Sequence, residues 1–244
     1  MALSLLLAAC TSVAPRTQRL TGPGVSPGVW GVLELPHTPG PHAAVILLPG
    51  SYGWRGDYAG FAKTFADSGF VALAIDYYAE AGRGDTPAQE QRNWSAWQAT
   101  VRNAVAYLDT LPQVSSGHIG LVGYSRGAFL ATSVAGSLPP IGAVVDYYGG
   151  GSDDDPSVEQ IPKFPPLLIL HGTADAEVSV DLAHRLYDRI KANGGTVEMH
   201  LYPGAGHVFN GPWAATYSAP EAADSWMRTI SFLREKLAAG QNSH

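Results

Sequence analysis

The stretch Ile119-Gly-Leu-Val-Gly123-Tyr-Ser125-Arg-Gly127 runs from an apolar segment into the pattern G-x-S-x-G. That pattern carries chemistry where a strand turns sharply into a helix, so that a serine is lifted above a sheet on a strained elbow. Both flanks fit. Ile119–Val122 is a short apolar run of the kind that forms a buried strand, and Ala128–Ser137 can form the helix. Gly123 and Gly127 allow a tight turn and keep side chains away from the Ser125 hydroxyl. The arrangement predicts Ser125 as a nucleophile.

The same alternation repeats on either side of this stretch. Val29–Leu35, Ala43–Leu48, Phe70–Ile75, Ala143–Val145, Leu167–Leu170 and Thr196–Tyr202 read as short strands. Asp57–Ser68, Gln89–Leu111, Ser179–Asn193 and Pro220–Ala238 read as helices. In the second of these helices Trp94, Trp97, Val101, Ala104, Val105 and Leu108 recur at helical spacing. Short apolar strands alternating with helices imply βα units with right-handed crossovers. The fold class expected is α/β, a three-layer α/β/α sandwich on a mostly parallel central sheet.

A serine hydroxyl needs a base to take its proton. In a sheet of this kind the partners follow in the order Ser, then acid, then His. Leu168-Ile-Leu-His171-Gly172-Thr-Ala-Asp175 puts an acid on the loop after a strand, and Tyr202-Pro-Gly-Ala-Gly206-His207 puts a histidine on the loop after the next one. Both loops open at the carboxyl edge of the sheet, where Ser125 stands. His207 is therefore read as the base and Asp175 as the group that orients it. The oxyanion donors expected are the backbone N–H groups of Arg126, just after the nucleophile, and of Ser51, in the loop Leu47-Leu-Pro-Gly50-Ser51-Tyr52-Gly53. Tyr52, Trp54, Tyr148, Phe209 and Trp213 lie near these loops and are candidates for the acyl pocket. Asp153-Asp-Asp155 reads as a solvated loop and His171 as a strand-end packing residue. No histidine pair has a metal-ligand spacing with a nearby acid, so neither metal nor other cofactor is expected.

From about Val29 to Ala238 the chain resembles the dienelactone hydrolase branch of the α/β-hydrolases. LLPGSYG, AIDYYAE, GYSRG, LILHGTADAEV and YPGAGHVF carry the resemblance. It implies an α/β-hydrolase scaffold and the Ser125–Asp175–His207 triad. Three departures stand out. The family's nucleophile is a cysteine, where this chain has Ser125. Its oxyanion loop carries a glutamate, where this chain has Gly50. Its arginine for the substrate carboxylate is matched by Glu80, with Arg83 close by. The scaffold and triad transfer on this resemblance, but the dienelactone substrate does not. AEAGRGDTPA between Tyr78 and Gln89 is too short for a large lid, which favours small esters or lactones. Two other readings are a thioesterase or aminopeptidase-like hydrolase on the same triad, and an inactive hydrolase fold kept as an envelope-bound binding lipoprotein.

The balance of 15 Lys and Arg against 21 Asp and Glu gives a net charge of −6, which sets the chain against nucleic acid as a partner. A single cysteine excludes an internal disulfide framework and a Cys-rich metal cluster. That cysteine ends Leu7-Ala-Ala-Cys10, which resembles the lipobox of bacterial lipoproteins and follows the uncharged run Ala2–Ala9. The positively charged n-region usual in such signals is absent from the run. The organisation expected is a signal over 1–9, a tether over 10–27 rich in Ser, Thr, Pro and Gly, and one domain over 28–240. Cys10 would then carry the lipid and hold the protein at the bacterial cell envelope, on its extracytoplasmic face. If the N-terminus is no signal, the protein is cytoplasmic. Cys10→Ser is expected to leave ester turnover intact and to move the protein from the membrane fraction to the soluble fraction, read by immunoblot after fractionation.

Overall fold

The computed structural model describes residues 17–238, apart from 23, 24, 26, 55, 85, 139, 140 and 152–163. In the strand β3 (His42–Leu48), Ala44, Ile46 and Leu48 join one hydrophobic cluster and Val45 and Leu47 join another, all five fully buried. A strand apolar on both sides belongs inside a sheet covered on both faces. Its neighbours are β4 (Val71–Ile75) and β5 (Val114–Tyr124), both parallel to it. Beyond β5 the sheet continues in parallel through β6 (Ile141–Tyr147), β7 (Leu167–Gly172) and β8 (Val197–Tyr202). Beyond β4 it ends in β2 (Val29–Glu34) and β1 (Gln18–Leu20), each antiparallel to its neighbour. The order is β1-β2-β4-β3-β5-β6-β7-β8.

The placement of the five helices among the described residues follows from the direction the chain takes. Steps from β4 to β5, β5 to β6 and β7 to β8 all move one way across the sheet. Right-handed crossovers therefore put α2 (Pro87–Asp109), α3 (Arg126–Ala135) and α4 (Val180–Ala192) on one face. The step from β3 to β4 moves the other way, so α1 (Gly56–Asp67) lies on the opposite face, joined there by α5 (Ala219–Lys236). The three-layer sandwich expected from the alternating pattern is the observed one. α2 opens with a capping box, in which the Thr86 hydroxyl accepts from Gln89 N and the Gln89 side chain accepts from Thr86 N, followed by Pro87. No helix among the described residues is long and apolar enough to cross a membrane.

One segment differs from the sequence reading. Gln18–Leu20 falls in the span read as a tether, yet it forms the edge strand β1 against Val29–Gly31, with Leu20 and Val25 buried. A three-residue edge strand has no period to display, and its pairing is dictated by the partner strand. Cys10 and Asp153–Asp155 lie outside the described residues.

The reversal of direction between β3 and β5 opens a crevice at their carboxyl ends. The floor beside it is aromatic. Trp97 is fully buried, donates its indole N–H to Gly82 O at 3.0 Å, and packs edge-on against Tyr77 and Tyr78 with ring centres 5.7 and 5.2 Å away. Trp97→Ala removes that support, and truncation of a buried Trp costs about 3–5 kcal/mol. Urea unfolding is expected to show a lowered midpoint with an unchanged slope.

Candidate active site

Ser125 sits between β5 and α3 with φ 53° and ψ −121°, a left-handed conformation that a side chain resists. Backbone bonds hold it there. Its N–H donates to Tyr147 O at 2.9 Å, and its carbonyl accepts from Ala128 N at 2.8 Å. The glycines on either side are required for a different reason. A Cβ on Gly123 would lie 2.4 Å from Ala128 Cα, and one on Gly127 would lie 2.0 Å from Leu48 O. They admit close backbone approach, while the serine itself carries the unusual φ. Strain of this kind costs on the order of 1–3 kcal/mol and persists where surrounding structure overrides it.

His207 Nε2 is 3.0 Å from Ser125 Oγ, and His207 Nδ1 is 2.7 Å from Asp175 Oδ2. A carboxylate only accepts, so Nδ1 carries the proton and Nε2 presents a lone pair to the serine hydroxyl. Asp175 Oδ1 accepts from Glu177 N at 2.9 Å and Val178 N at 2.8 Å. The buried His171 adds a contact: its Nε2 is 3.3 Å from Asp175 Oδ2 and 3.0 Å from Val178 O. Burial acts to raise the Asp175 pKa, but hydrogen bonds from His171, His207 and Val178 N–H outweigh it and hold the carboxyl well below the usual range. His171, read from sequence as strand-end packing with its ring bonded to a loop, therefore also clamps the acid.

The two loops that carry Asp175 and His207 are tied to each other. Thr173 N donates to Tyr202 O and Ala174 N to Ala205 O, each at 3.0 Å, and Gly204 N donates to Thr173 Oγ1 at 2.9 Å. A Cβ on Gly172 would lie 2.2 Å from Ala205 O, so a glycine is needed where the loops meet. The Thr216 hydroxyl donates to His207 O, and the Tyr148 ring packs edge-on against the imidazole at 4.8 Å.

The loop after β3 lies directly over Ser125, since a Cβ on Gly50 would lie 3.3 Å from Ser125 Cβ. Three tyrosines pin it. Tyr77 OH donates to Pro49 O at 2.7 Å, Tyr78 OH donates to Gly50 O at 3.2 Å, and Gly50 N donates to Tyr58 OH at 3.0 Å. The Ser51 and Arg126 N–H groups enter no backbone hydrogen bond among the described residues. No role for these tyrosines follows from the sequence pattern. The only signal for two of them was the doublet in AIDYYAE.

A cavity of about 370 Å³ opens above Ser125 and His207. Of the five pocket candidates, Tyr52, Tyr148 and Trp213 line it. Trp54 and Phe209 do not. Phe209 is fully buried beneath Tyr148 and Tyr202, at ring distances of 5.7 and 4.8 Å, and Trp54 packs on the core under α1. Tyr58, Tyr124, Glu177 and Val208 line the cavity unforeseen. Glu80 faces away, accepting from Trp30 Nε1 at 3.0 Å, and Arg83 donates to Tyr52 O at 3.1 Å. Among the described residues, no three His, Cys, Asp or Glu side chains gather as a metal site.

A family model described as the dienelactone hydrolase family matches residues 29–237. A carboxymethylenebutenolidase from Pseudomonas putida is 30% identical over 184 residues, covering 68% of this chain and 75% of that protein. A protein named usf from Aquifex pyrophilus is 30% identical over 183 residues, covering 71% of this chain and 78% of its own. Among solved structures, a dienelactone hydrolase-like promiscuous phosphotriesterase from metagenomic libraries superposes with a TM-score of 0.77 at 21% identity. It covers 91% of this chain and 97% of its own, a likeness of fold.

Burial near the site has a titration signature. Asp146, at the end of β6, is fully buried, and its Oδ1 accepts from Gly149 N at 2.8 Å while Oδ2 has no partner among the described residues. Burial pushes its pKa up to about 6, against the opposing pull of His171 and of the Gly149 and Gly150 N–H groups. Between about pH 4 and 6 the unfolded chain therefore loses a proton that the folded chain keeps, so stability falls as pH rises through that window. Asp175, shifted the other way, loses its contribution only as pH falls below its ordinary value of 3.8. The urea midpoint is expected to drop between pH 4.5 and 6 in the wild type and to drop less in Asp146→Asn. Equal drops would remove Asp146 as the cause.

Proposed function

The chain belongs to the dienelactone hydrolase family, and on that premise we propose that it is a serine hydrolase of small carboxylic esters or lactones that works through an acyl-enzyme. The observation that carries the reading is the line from Ser125 Oγ through His207 to the Asp175 carboxylate, with contacts of 3.0 and 2.7 Å.

The chemistry follows from those atoms. Ser125 Oγ attacks the carbonyl carbon of the ester as His207 Nε2 takes its proton. The imidazolium so formed is stabilised by Asp175, which stays ionised because its lone pairs are already engaged. The carbonyl oxygen becomes an oxyanion, placed to receive the Ser51 and Arg126 N–H groups. Each such donor is worth about 2.7–4 kcal/mol in the transition state. The tetrahedral intermediate collapses, His207 gives its proton to the leaving alcohol, and the acyl group stays on Ser125. Water then attacks the acyl carbon as His207 Nε2 takes its proton; the bond from that carbon to Ser125 Oγ breaks, His207 returns the proton to Oγ, and the acid leaves. Glu80 stands where the family carries its carboxylate-binding arginine and faces away, and no Arg side chain is among the described cavity-lining residues, which argues for substrates other than the dienelactone carboxylate. Leu7-Ala-Ala-Cys10 supports the further reading that a lipid on Cys10 anchors the enzyme at the cell envelope.

Ser125→Ala is expected to lower kcat on p-nitrophenyl acetate by about 10⁴-fold or more and to abolish labelling by a fluorophosphonate probe. Unchanged turnover would overturn the assignment.

A further inference from the structure

We propose that this site selects esters that carry a positive charge next to the scissile carbonyl, with Glu177 as the residue that reads the charge. The inference rests on the ester-hydrolase reading above and adds the substrate class.

The cavity wall is a chain of aromatic rings. Tyr58 lies 5.5 Å from Tyr124 and 6.5 Å from Trp213, and Tyr124 lies 6.4 Å from Tyr148, centre to centre. All four rings line the cavity, as does Tyr52. Faces of aromatic rings attract cations through the ring quadrupole; Tyr124 is itself stacked on Phe61 and Tyr147, with ring centres 5.5 and 5.0 Å away, so it backs the wall and offers no free face. One charged side chain is present among the described lining residues, and it is a carboxylate. Glu177 Oε2 is 3.9 Å from His207 Nε2, the same nitrogen that faces Ser125 Oγ at 3.0 Å. Its negative charge therefore sits beside the reacting atoms and not at a distant rim.

No described Lys or Arg side chain lines the cavity to offset that charge. Arg83 is turned to the Tyr52 carbonyl, and the Arg126 guanidinium pairs with Glu90 and lies 6.0 Å over Trp97. Arg83 stands behind the lining residues Tyr52 and Gly53 with its guanidinium engaged by Tyr52 O, so the charged side chain that an anionic substrate would meet among the described lining residues is Glu177. A cationic one would find a counter-charge and an aromatic wall together. Glu177 is more than half exposed, so solvent screens it and the preference is moderate.

The test holds shape constant and changes charge, using the full-length chain at pH 7 and low ionic strength in a pH-stat. Two isosteric pairs place the cation on either side of the ester: alanine methyl ester against methyl isobutyrate, and acetylcholine against 3,3-dimethylbutyl acetate. Monomethyl succinate is the anionic arm. The wild type is expected to favour the cationic member of at least one pair by about three- to tenfold in kcat/KM. The preferred pair shows whether the cation sits on the acyl or the alcohol side. Glu177→Gln should bring that ratio towards one, and Glu177→Lys should shift preference towards monomethyl succinate, with far-UV circular dichroism and the urea midpoint reporting that each variant is folded. A wild-type ratio at or below one in both pairs, or a ratio that neither substitution moves, overturns the proposal. If neutral esters are hydrolysed without charge preference, this inference alone falls. If the wild type hydrolyses none of these esters, charged or neutral, the ester-hydrolase reading falls and takes this one with it.

Discussion

The contact on which the site depends is between two stretches of backbone. The first turn of α3 approaches the end of β3 so closely that a Cβ on Gly127 would lie 2.0 Å from the Leu48 carbonyl oxygen. That approach is possible because β3 and β5 are paired neighbours at the centre of the sheet, in register from Ala44 and Ile119 to Leu48 and Gly123. It brings the loop after β3 over the serine, with Gly50 against Ser125. Ser125 and the loop after β3 are thus positioned by one piece of close packing, which interiors at this density do not relax easily.

The rest of the site is held by contacts within the protein itself. Three non-glycine residues have positive φ among the described residues, Ser125 at 53°, Tyr148 at 43° and Val208 at 59°, and all three line the cavity. Conformations that cost energy cluster where the chemistry is, sustained by the fixed bonds around them. Asp175 has a donor for each of its oxygens and a second histidine beside it. The loop over Ser125 is held at both carbonyls and one N–H by tyrosine hydroxyls. Dipoles fixed in this way need little reorganisation as charge develops, which is the main source of transition-state stabilisation in such sites.

Residue type and period carried much of the architecture in the sequence. Doubly buried strands appear as unbroken apolar runs, and α2 shows its inner face at helical spacing. The elbow was legible because glycines at Gly123 and Gly127 answer a local steric demand. Asp175 and His207 were legible because loops after consecutive parallel strands must open at the same sheet edge. β1 was not, because a short edge strand is specified by its partner and not by its own pattern.

The pocket wall was legible only in part: Tyr52, Tyr148 and Trp213 line it, while Trp54 and Phe209 do not. Phe209 and Tyr148 are both aromatics near site loops, yet one is sealed beneath the other, and nothing local distinguishes them. The order of layers is set by the path of loops whose turns occur at positive φ, and by side chains meeting from distant segments such as Tyr58 and Trp213. Glu177 is one acid among many in the chain until folding places it beside His207 Nε2. The amino-acid order thus specified which groups could do chemistry and on which edge of the sheet they stand, because strand and helix periods are local. Which side chains enclose the substrate was settled only on folding, because enclosure is made of long-range contacts that leave no period in the chain.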